Sequence, residues 1–293
     1  MNRIRTVYAG ALALTLGVTL FMFGVMPNAA VAQFVQVVKV KAVETAGGGY
    51  KFVGLPSALK GGNIRFELTN AGKEPHDLAI VRVDGLHSMA DVMKIVGSED
   101  APAPAWLHGD GGVAGVAPGQ VGGATMNFGP GKYMVLCTMS NDATKKSHAA
   151  GGMTASFTVT GAKASSLIGG ATATVTAKEY GFDFKGLKAG KNVVLFVNAG
   201  KELHHFQMFP IVAGKTLDDV KKAFASQGPP SGPPPVDFEK GAGSGVIEKS
   251  EGGSLVAEIN LVAGRYAVFC FMSDRVGGPP HFAKGMMTEV TIK

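Results

Sequence analysis

Two clusters of metal-binding side chains follow the same spacing in the two halves of the 293-residue sequence. They are Cys137-x10-His148-x4-Met153 and Cys270-x10-His281-x4-Met286. A thiolate, an imidazole and a thioether suit copper, which proteins bind in a trigonal His2Cys plane with a long, weak axial methionine. One such spacing could arise by accident, but two in register indicate a duplicated metal site.

The second imidazole that this geometry needs lies upstream in both halves. The sequence has Asn-Ala-Gly-Lys-Glu-Pro-His76 in the first half and Asn-Ala-Gly-Lys-Glu-Leu-His204 in the second. His205 is the alternative to His204; alignment of the halves favours His204, and neighbours on a strand point to opposite faces. Met287 competes with Met286 in the same way, and the shared His-x4-Met register favours Met286. The predicted copper ligands are therefore His76, Cys137, His148 and Met153, and His204, Cys270, His281 and Met286.

A disulfide is the alternative role for two cysteines in an exported protein. Cys137 and Cys270 occupy equivalent positions, so a bridge would require equivalent interior points of two domains to touch. A metal thiolate in each half explains both residues better. We interpret the repeated Met139 and Met272 as packing around the sites, since methionine fills irregular apolar gaps.

The elements that position these residues also repeat. Residues 63–76 match 192–204, and residues 129–140 match 262–273. A period of this length indicates a duplicated domain rather than a solenoid. The predicted domains are 33–160 and 173–293, joined by a small-residue linker at 161–172.

Strand signals dominate each predicted domain. Ile64, Phe66 and Leu68 alternate with polar neighbours, and Cys137 shares the parity of an apolar strand, so its thiol should face inward. One short helix is predicted in each half, at about 88–96 and about 216–226. The predicted fold class is all-β, with two tandem Greek-key β-sandwich domains that each carry one inserted helix.

The N-terminus has the pattern of a secretory signal. Arg3 and Arg5 precede an apolar stretch at 9–25, and Ala30-Val31-Ala32 ends the segment. We predict a signal peptide at 1–32, cleavage after Ala32 and a periplasmic or secreted protein; an uncleaved membrane anchor is the alternative. The net charge of +6 includes no Lys/Arg run, which argues against nucleic-acid binding. No later segment predicts a membrane span.

At this point each half resembles a cupredoxin, the type 1 blue copper family of plastocyanin, azurin and rusticyanin. His148-Ala-Ala-Gly-Gly-Met153 and His281-Phe-Ala-Lys-Gly-Met286 particularly resemble the copper domains of nitrite reductase and sulfocyanin. The resemblance implies an eight-stranded sandwich with copper near one end and an accessible edge on the second histidine. Two departures are a longer Cys-to-His loop, and Asp77 and His205 where the family often has asparagine.

The resemblance implies an electron-transfer protein with two type 1 coppers that serves redox partner proteins of unknown identity. The two-domain oxidases and nitrite reductases of this fold place a histidine beside the cysteine, whereas Cys137 and Cys270 have Leu, Thr and Phe neighbours. We therefore predict that the protein is not an enzyme. Three histidines stay unassigned, namely His87, His108 and His205. Copper sequestration or delivery is the alternative function, and a two-domain copper oxidoreductase is the less favoured one.

Overall fold

Strands form nearly all of the regular structure. The computed structural model describes residues 35–96, 102–141, 144, 146–167, 169–226, 232–243 and 253–293. The predicted signal peptide at 1–32 lies outside these residues. The described residues from 35 onward pack as one unit, and neither α-helix among them has the length and hydropathy of a membrane span.

The first half contributes nine strands to the described structure, and the second half contributes eight. Those of the first half are β1 (Gln36–Glu44), β2 (Tyr50–Val53), β3 (Ala58–Lys60), β4 (Gly62–Asn70), β5 (His76–Val83), β6 (Leu107–Val116), β7 (Val121–Phe128), β8 (Gly131–Leu136) and β9 (Thr154–Thr160). Those of the second half are β10 (Ala173–Lys178), β11 (Gly181–Lys185), β12 (Gly190–Asn198), β13 (Gln207–Pro210), β14 (Ala242–Gly243), β15 (Ser254–Leu261), β16 (Gly264–Phe269) and β17 (Met287–Ile292).

One eight-stranded sheet runs through both halves, in the order β11-β10-β12-β15-β7-β4-β1-β2. The halves join where β15 pairs antiparallel with β7, Val256 opposite Thr125. A five-stranded sheet, β3-β9-β8-β5-β6, lies over the first half, and a four-stranded sheet, β14-β13-β16-β17, lies over the second. The predicted all-β class of two tandem sandwiches is confirmed.

Both predicted helices are present, at α1 (Met89–Val96) and α2 (Leu217–Ala225). Thr216 caps α2 in a capping box with Asp219, which satisfies free N–H groups of the first turn. Each helix buries one valine, Val92 or Val220, against the outer face of the smaller sheet. The strands that precede the cysteines are therefore buried on both faces.

The alternating residues lie in the core as predicted. Ile64, Phe66 and Leu68 are fully buried between the sheets, and Cys137 and Cys270 lie in the same core cluster. Apolar burial of this kind is the main stabilising contribution to a sandwich.

Polar contacts also join the halves beyond the β7–β15 pairing. Arg65 of β4 forms an ion pair of 2.8 Å with Glu258 of β15. The Arg275 carbonyl accepts a 2.8 Å hydrogen bond from the Ala103 N–H, and the Arg275 guanidinium donates to the Leu107 carbonyl at 3.3 Å. The domain boundaries at 160 and 173 stay a prediction, because one sheet continues through both halves.

Candidate metal centres

The fold delivers the eight predicted ligands to equivalent places. His76 opens β5, and Cys137 follows β8 directly. In the second half His204 precedes β13, Cys270 follows β16 directly, and His281 opens a one-turn 3-10 helix, His281–Lys284. Since β5 pairs with β8 and β13 with β16, the first histidine and the cysteine of each half meet at one end of the smaller sheet.

Two His2Cys triads result, and their dimensions are nearly equal. In the first triad the Sγ atom of Cys137 lies 3.7 Å from Nδ1 of His76 and 3.5 Å from Nδ1 of His148, and the two nitrogens are 3.0 Å apart. The matching distances for Cys270, His204 and His281 are 3.8, 3.5 and 3.1 Å.

A metal ion fits the centre of either triangle. Triangles with these sides have a centre about 2 Å from all three donor atoms, close to the bond lengths of about 2.0 to 2.3 Å that nitrogen and sulfur ligands form with a metal such as zinc. All six residues are fully buried. Among the described residues these two are the groups of His, Cys and acidic side chains that could hold a metal.

The loop from cysteine to methionine closes on itself by the same backbone hydrogen bonds in both halves. Met153 N–H donates to the His148 carbonyl at 2.9 Å, and Cys137 N–H donates to the Met153 carbonyl at 3.2 Å. In the second half the Met286 N–H donates to the His281 carbonyl at 2.9 Å, and the Cys270 N–H donates to the Met286 carbonyl at 3.2 Å.

The glycine before each methionine has a left-handed backbone, with φ of 100° at Gly152 and 104° at Gly285. A residue with a Cβ is strained in this conformation, so glycine suits both positions. Met153 and Met286 are fully buried in the cluster that contains the cysteines, whereas Met287 packs in a separate cluster beneath α2.

Each sulfur is enclosed by backbone donors. The Asp77 N–H lies 3.4 Å from Sγ of Cys137, and the Met139 N–H also hydrogen-bonds this sulfur. His205 and Met272 supply the same two N–H groups to Cys270. Burial nonetheless raises the pKa of the Cys137 thiol and raises that of Cys270 to about 12. A thiolate in either place therefore needs a cation bound to it.

The structure separates His204 from His205. His204 belongs to the triad, whereas Nε2 of His205 accepts a 2.9 Å hydrogen bond from the Phe271 N–H. Burial lowers the pKa of His205 to about 3, so the ring is neutral. Asp77 makes the equivalent hydrogen bond in the first half: its Oδ1 accepts from the Thr138 N–H at 2.7 Å.

A carboxylate faces the outer nitrogen of the first histidine of each triad. Glu44 Oε1 lies 3.9 Å from Nε2 of His76, and Glu179 Oε1 lies 3.5 Å from Nε2 of His204. Neither Nε2 has a hydrogen-bond partner in the described structure. Burial first, and then the second imidazole, lowers the pKa of both histidines, that of His204 to about 4. Neutral rings that bind metal through Nδ1 would turn their N–H toward these carboxylates.

The second histidine of each triad also has a carboxylate behind it. Glu74 Oε2 lies 2.7 Å from Nε2 of His148, and Asp274 Oδ1 lies 3.0 Å from Nε2 of His281. A tyrosine covers each ring: Tyr50 stacks on His148 with centroids 4.0 Å apart at 17°, and Tyr180 lies over His281 at 5.1 Å and 57°.

The accessible histidine edge implied by the family resemblance is not observed. His148 and His281 are both 0% exposed, because a tyrosine covers one side of the ring and a carboxylate occupies the outer nitrogen. Ala149, the residue after His148, is also buried. The partly exposed Tyr50 and Tyr180 lie between the imidazoles and the surface instead.

Sequence reasoning missed the carboxylates and the tyrosines. A signal was present, since Glu44 precedes Tyr50-x-Phe52 and Glu179 precedes Tyr180-x-Phe182, with five extra residues, 45–49, in the first half. Two of the histidines that the sequence left unassigned have other neighbours. The His87 ring stacks on Trp106 with centroids 3.9 Å apart, and Nε2 of His108 lies 2.8 Å from Oδ2 of Asp84.

No protein-family model and no curated protein matches this sequence. Among solved structures, an auracyanin from Roseiflexus castenholzii is similar at 21% identity, with 42% of this chain and 96% of that chain covered and a TM-score of 0.30. Copper nitrite reductase from Nitrosomonas europaea is similar at 17% identity over 89% of this chain and 94% of that chain, with a TM-score of 0.29.

A multicopper oxidase is similar at 15% identity over 88% of this chain and 89% of that chain, with a TM-score of 0.26. Similarities with TM-scores this low decide nothing about the function of the present chain. The described residues form two stacked-sheet halves, and each half has one buried His2Cys group that could hold a metal ion and one fully buried methionine in the core cluster that contains the cysteines.

Proposed function

We propose that the protein is an electron carrier whose two type 1 coppers are held by His76, Cys137, His148 and Met153, and by His204, Cys270, His281 and Met286. Bound copper would supply one-electron exchange between Cu(II) and Cu(I). The observation that carries this proposal is the pair of buried triads with nearly equal dimensions.

The residues around the triads support a carrier because they hold the ligands in one arrangement. Each sulfur receives two backbone N–H groups, and the loop between cysteine and methionine is closed by backbone hydrogen bonds. A site that reorganises little between two oxidation states exchanges electrons readily. Thiolate and thioether ligands favour Cu(I), while imidazole serves both states.

The placement of the other three histidines supports a carrier over an enzyme. The His205 ring accepts a hydrogen bond from the Phe271 N–H, the His87 ring stacks on Trp106, and the His108 ring contacts Asp84. A catalytic copper would need several such imidazoles at one point. Storage or delivery is less well supported, because fully buried ligands hinder metal release.

The test is to load the protein with copper and to measure metal content and visible absorption. We expect two coppers per chain and an intense thiolate-to-copper absorption. Cys137→Ser and Cys270→Ser should each remove one copper and about half of the absorption. His108→Asn is the matched control and should change neither. Full absorption after either cysteine change would contradict the assignment, and sustained reduction of nitrite or oxygen would contradict the carrier.

Export and partner binding are part of the same proposal. The signal-like segment 1–32 favours a periplasmic or secreted protein that exchanges electrons with redox proteins. Intact mass measurement of the exported protein should give a chain that begins at Gln33. A chain that keeps residues 1–32 and sediments with membranes would favour the anchor instead.

A further inference from the structure

The two copper sites differ in the charge that surrounds the second histidine. At the first site Glu74 is held by neutral groups: the Asn141 amide donates to it at 2.6 Å and the Tyr50 hydroxyl at 3.1 Å. At the second site Asp274 is ion-paired with Lys284, whose Nζ lies 2.5 Å from Oδ2. The carboxylate behind His281 is thus compensated by a cation, while the one behind His148 is not.

This difference follows from single positions in the aligned halves. Asn141 and Asp274 are equivalent, as are Gly151 and Lys284. A Cβ at Gly151 would lie 2.6 Å from Cδ2 of Tyr50, so the stacked tyrosine leaves no room for a lysine in the first half. At the second site the tilted Tyr180 leaves room for Lys284, which lies 5.1 Å from the ring centroid.

A second difference lies beside the sulfur atoms. At the first site the Asp77 carboxyl group accepts a hydrogen bond from the Thr138 N–H, whereas at the second site the His205 imidazole accepts one from the Phe271 N–H. The carboxylate of Glu202, the counterpart of Glu74, accepts from the Arg275 N–H at 2.7 Å and is offset by the Arg275 charge. The first site is therefore the more negative.

The third difference is apolar cover. Leu136, Thr138 and Ala149 flank the first triad, and Phe269, Phe271 and Phe282 occupy the equivalent places at the second. The three phenylalanines contact one another, with centroids 5.3 Å apart for Phe269–Phe271 and 5.4 Å for Phe271–Phe282. The axial and equatorial ligand types are the same, so these surroundings set any difference between the sites.

All three differences act in one direction. An oxidised copper site carries one more positive charge than the reduced site. Negative groups stabilise the oxidised form, and apolar cover destabilises it. We propose that the second site has the higher reduction potential and that Lys284 is a positioning residue that raises this potential. This inference rests on the proposed function. In a molecule that has taken up one electron, that electron resides at the second site, with no bond formed or broken.

The test uses proteins with one site each. Cys270→Ser leaves the first site and Cys137→Ser leaves the second, and each is titrated with redox mediators while its visible absorption is followed. We expect the second site to be favoured for reduction by at least about tenfold, which is about 59 mV for one electron. The intact protein should titrate in two steps with the same separation.

Lys284→Gln, made in the protein that carries only the second site, removes the charge and keeps a hydrogen-bond donor near Asp274. It should lower the potential of the second site, and Lys284→Arg should restore it. Lys240→Gln breaks another Lys–Asp pair of the same half, Lys240–Asp237 at 2.8 Å, and should leave the potential unchanged.

Equal potentials, or a higher potential at the first site, would overturn this inference while leaving the copper assignment intact. An unchanged potential in Lys284→Gln would refute the role of Lys284. Absence of visible absorption from both single-site proteins would overturn the proposed function and the inference with it.

Discussion

The two metal centres of this chain share their inner geometry and differ in their surroundings. Corresponding donor distances agree within 0.1 Å, and the same backbone hydrogen bonds close both ligand loops. Outside the ligands, an asparagine, a glycine and an aspartate of the first site are replaced by an aspartate, a lysine and a histidine at the second. The backbone thus fixes the triad, while side chains one layer further out are free to differ.

The cores of the halves place their aromatic rings differently, and this predicts the largest difference in stability. Phe157 is fully buried between the sheets and stacks on Tyr133 at 5.1 Å, whereas Phe224 belongs to α2 and is partly exposed. Phe157→Ala should lower the free energy of unfolding by about 3 to 5 kcal/mol. Phe224→Ala should cost clearly less in the same denaturant titration; equal losses would contradict the comparison.

Alanine in the loop before the first histidine tests what the sites have in common. A Cβ at Gly72 would lie 2.7 Å from Oε1 of Glu44, and one at Gly200 would lie 2.8 Å from Nε2 of His204. Gly72→Ala and Gly200→Ala should each weaken copper binding at the altered site by about 10- to 100-fold, since groups behind the ligands orient them. Competition with a chelator measures this. Gly47→Ala, which meets nothing within 4 Å, is the control.

Substitutions at Gly151 and Lys284 test the difference between the two sites, because these residues are at equivalent positions and have different neighbours. Gly151→Ala forces Tyr50 away from His148 and should cost about 1 to 3 kcal/mol of stability, with a shift in the absorption of the first site. Lys284→Ala introduces no overlap and should cost less stability than Gly151→Ala, because a partly exposed ion pair contributes little to the free energy of unfolding. An unshifted spectrum in Gly151→Ala would show that Tyr50 does not constrain the imidazole.

The residue after the first histidine gives a smaller effect. His205→Ala removes the acceptor for the half-buried Phe271 N–H and should cost about 1 kcal/mol. Asp77→Ala should cost less, because Thr138 is exposed and water can replace the carboxylate. Thermal unfolding of both variants, with His205→Gln and Asp77→Asn as partners that keep an acceptor, checks this order.

Acid should act on these two residues with opposite sign in the copper-free protein. Burial lowers the folded pKa of His205 from 6.5 to about 3, so between these values the unfolded chain binds more protons and stability falls as the pH falls. Burial raises the pKa of Asp77, so this carboxyl group adds stability below its unfolded pKa and loses it as the pH rises.

His205→Gln should therefore flatten the loss of melting temperature between about pH 6.5 and pH 4, and Asp77→Asn should steepen it at the acid end. Slopes unchanged in both variants would mean that neither residue is buried as described.

Much of the fold was predictable because its signals are local. The alternation through Ile64, Phe66 and Leu68 placed a core strand, and Thr216 with Asp219 marked the start of α2. The preference for His204 over His205 needed only the alignment of the halves, and in the structure His204 is the residue that lies with Cys270 and His281. The continuous sheet was not predictable, since the pairing of β7 with β15 joins strands that are far apart in the sequence.

The second layer of the sites shows most clearly where sequence reasoning ends. Glu74 and Glu202 occupy the same position before their histidines, yet Glu74 contacts His148 while Glu202 contacts the Arg275 N–H. Asp274 takes the role of Glu74 at the second site. Identical local spacing therefore gave no way to tell which carboxylate reaches an imidazole.

The sequence by itself determined the candidate ligand types, their duplication and the all-β class, because donor chemistry and side-chain periodicity depend only on the local sequence. The tertiary structure decided which groups surround those ligands: the tyrosine over each second histidine, the carboxylate behind each imidazole, and the lysine at only one site. These contacts join β-hairpins and loops from distant parts of the chain. Their energies depend on distances of a few ångströms that only the packed sandwich sets.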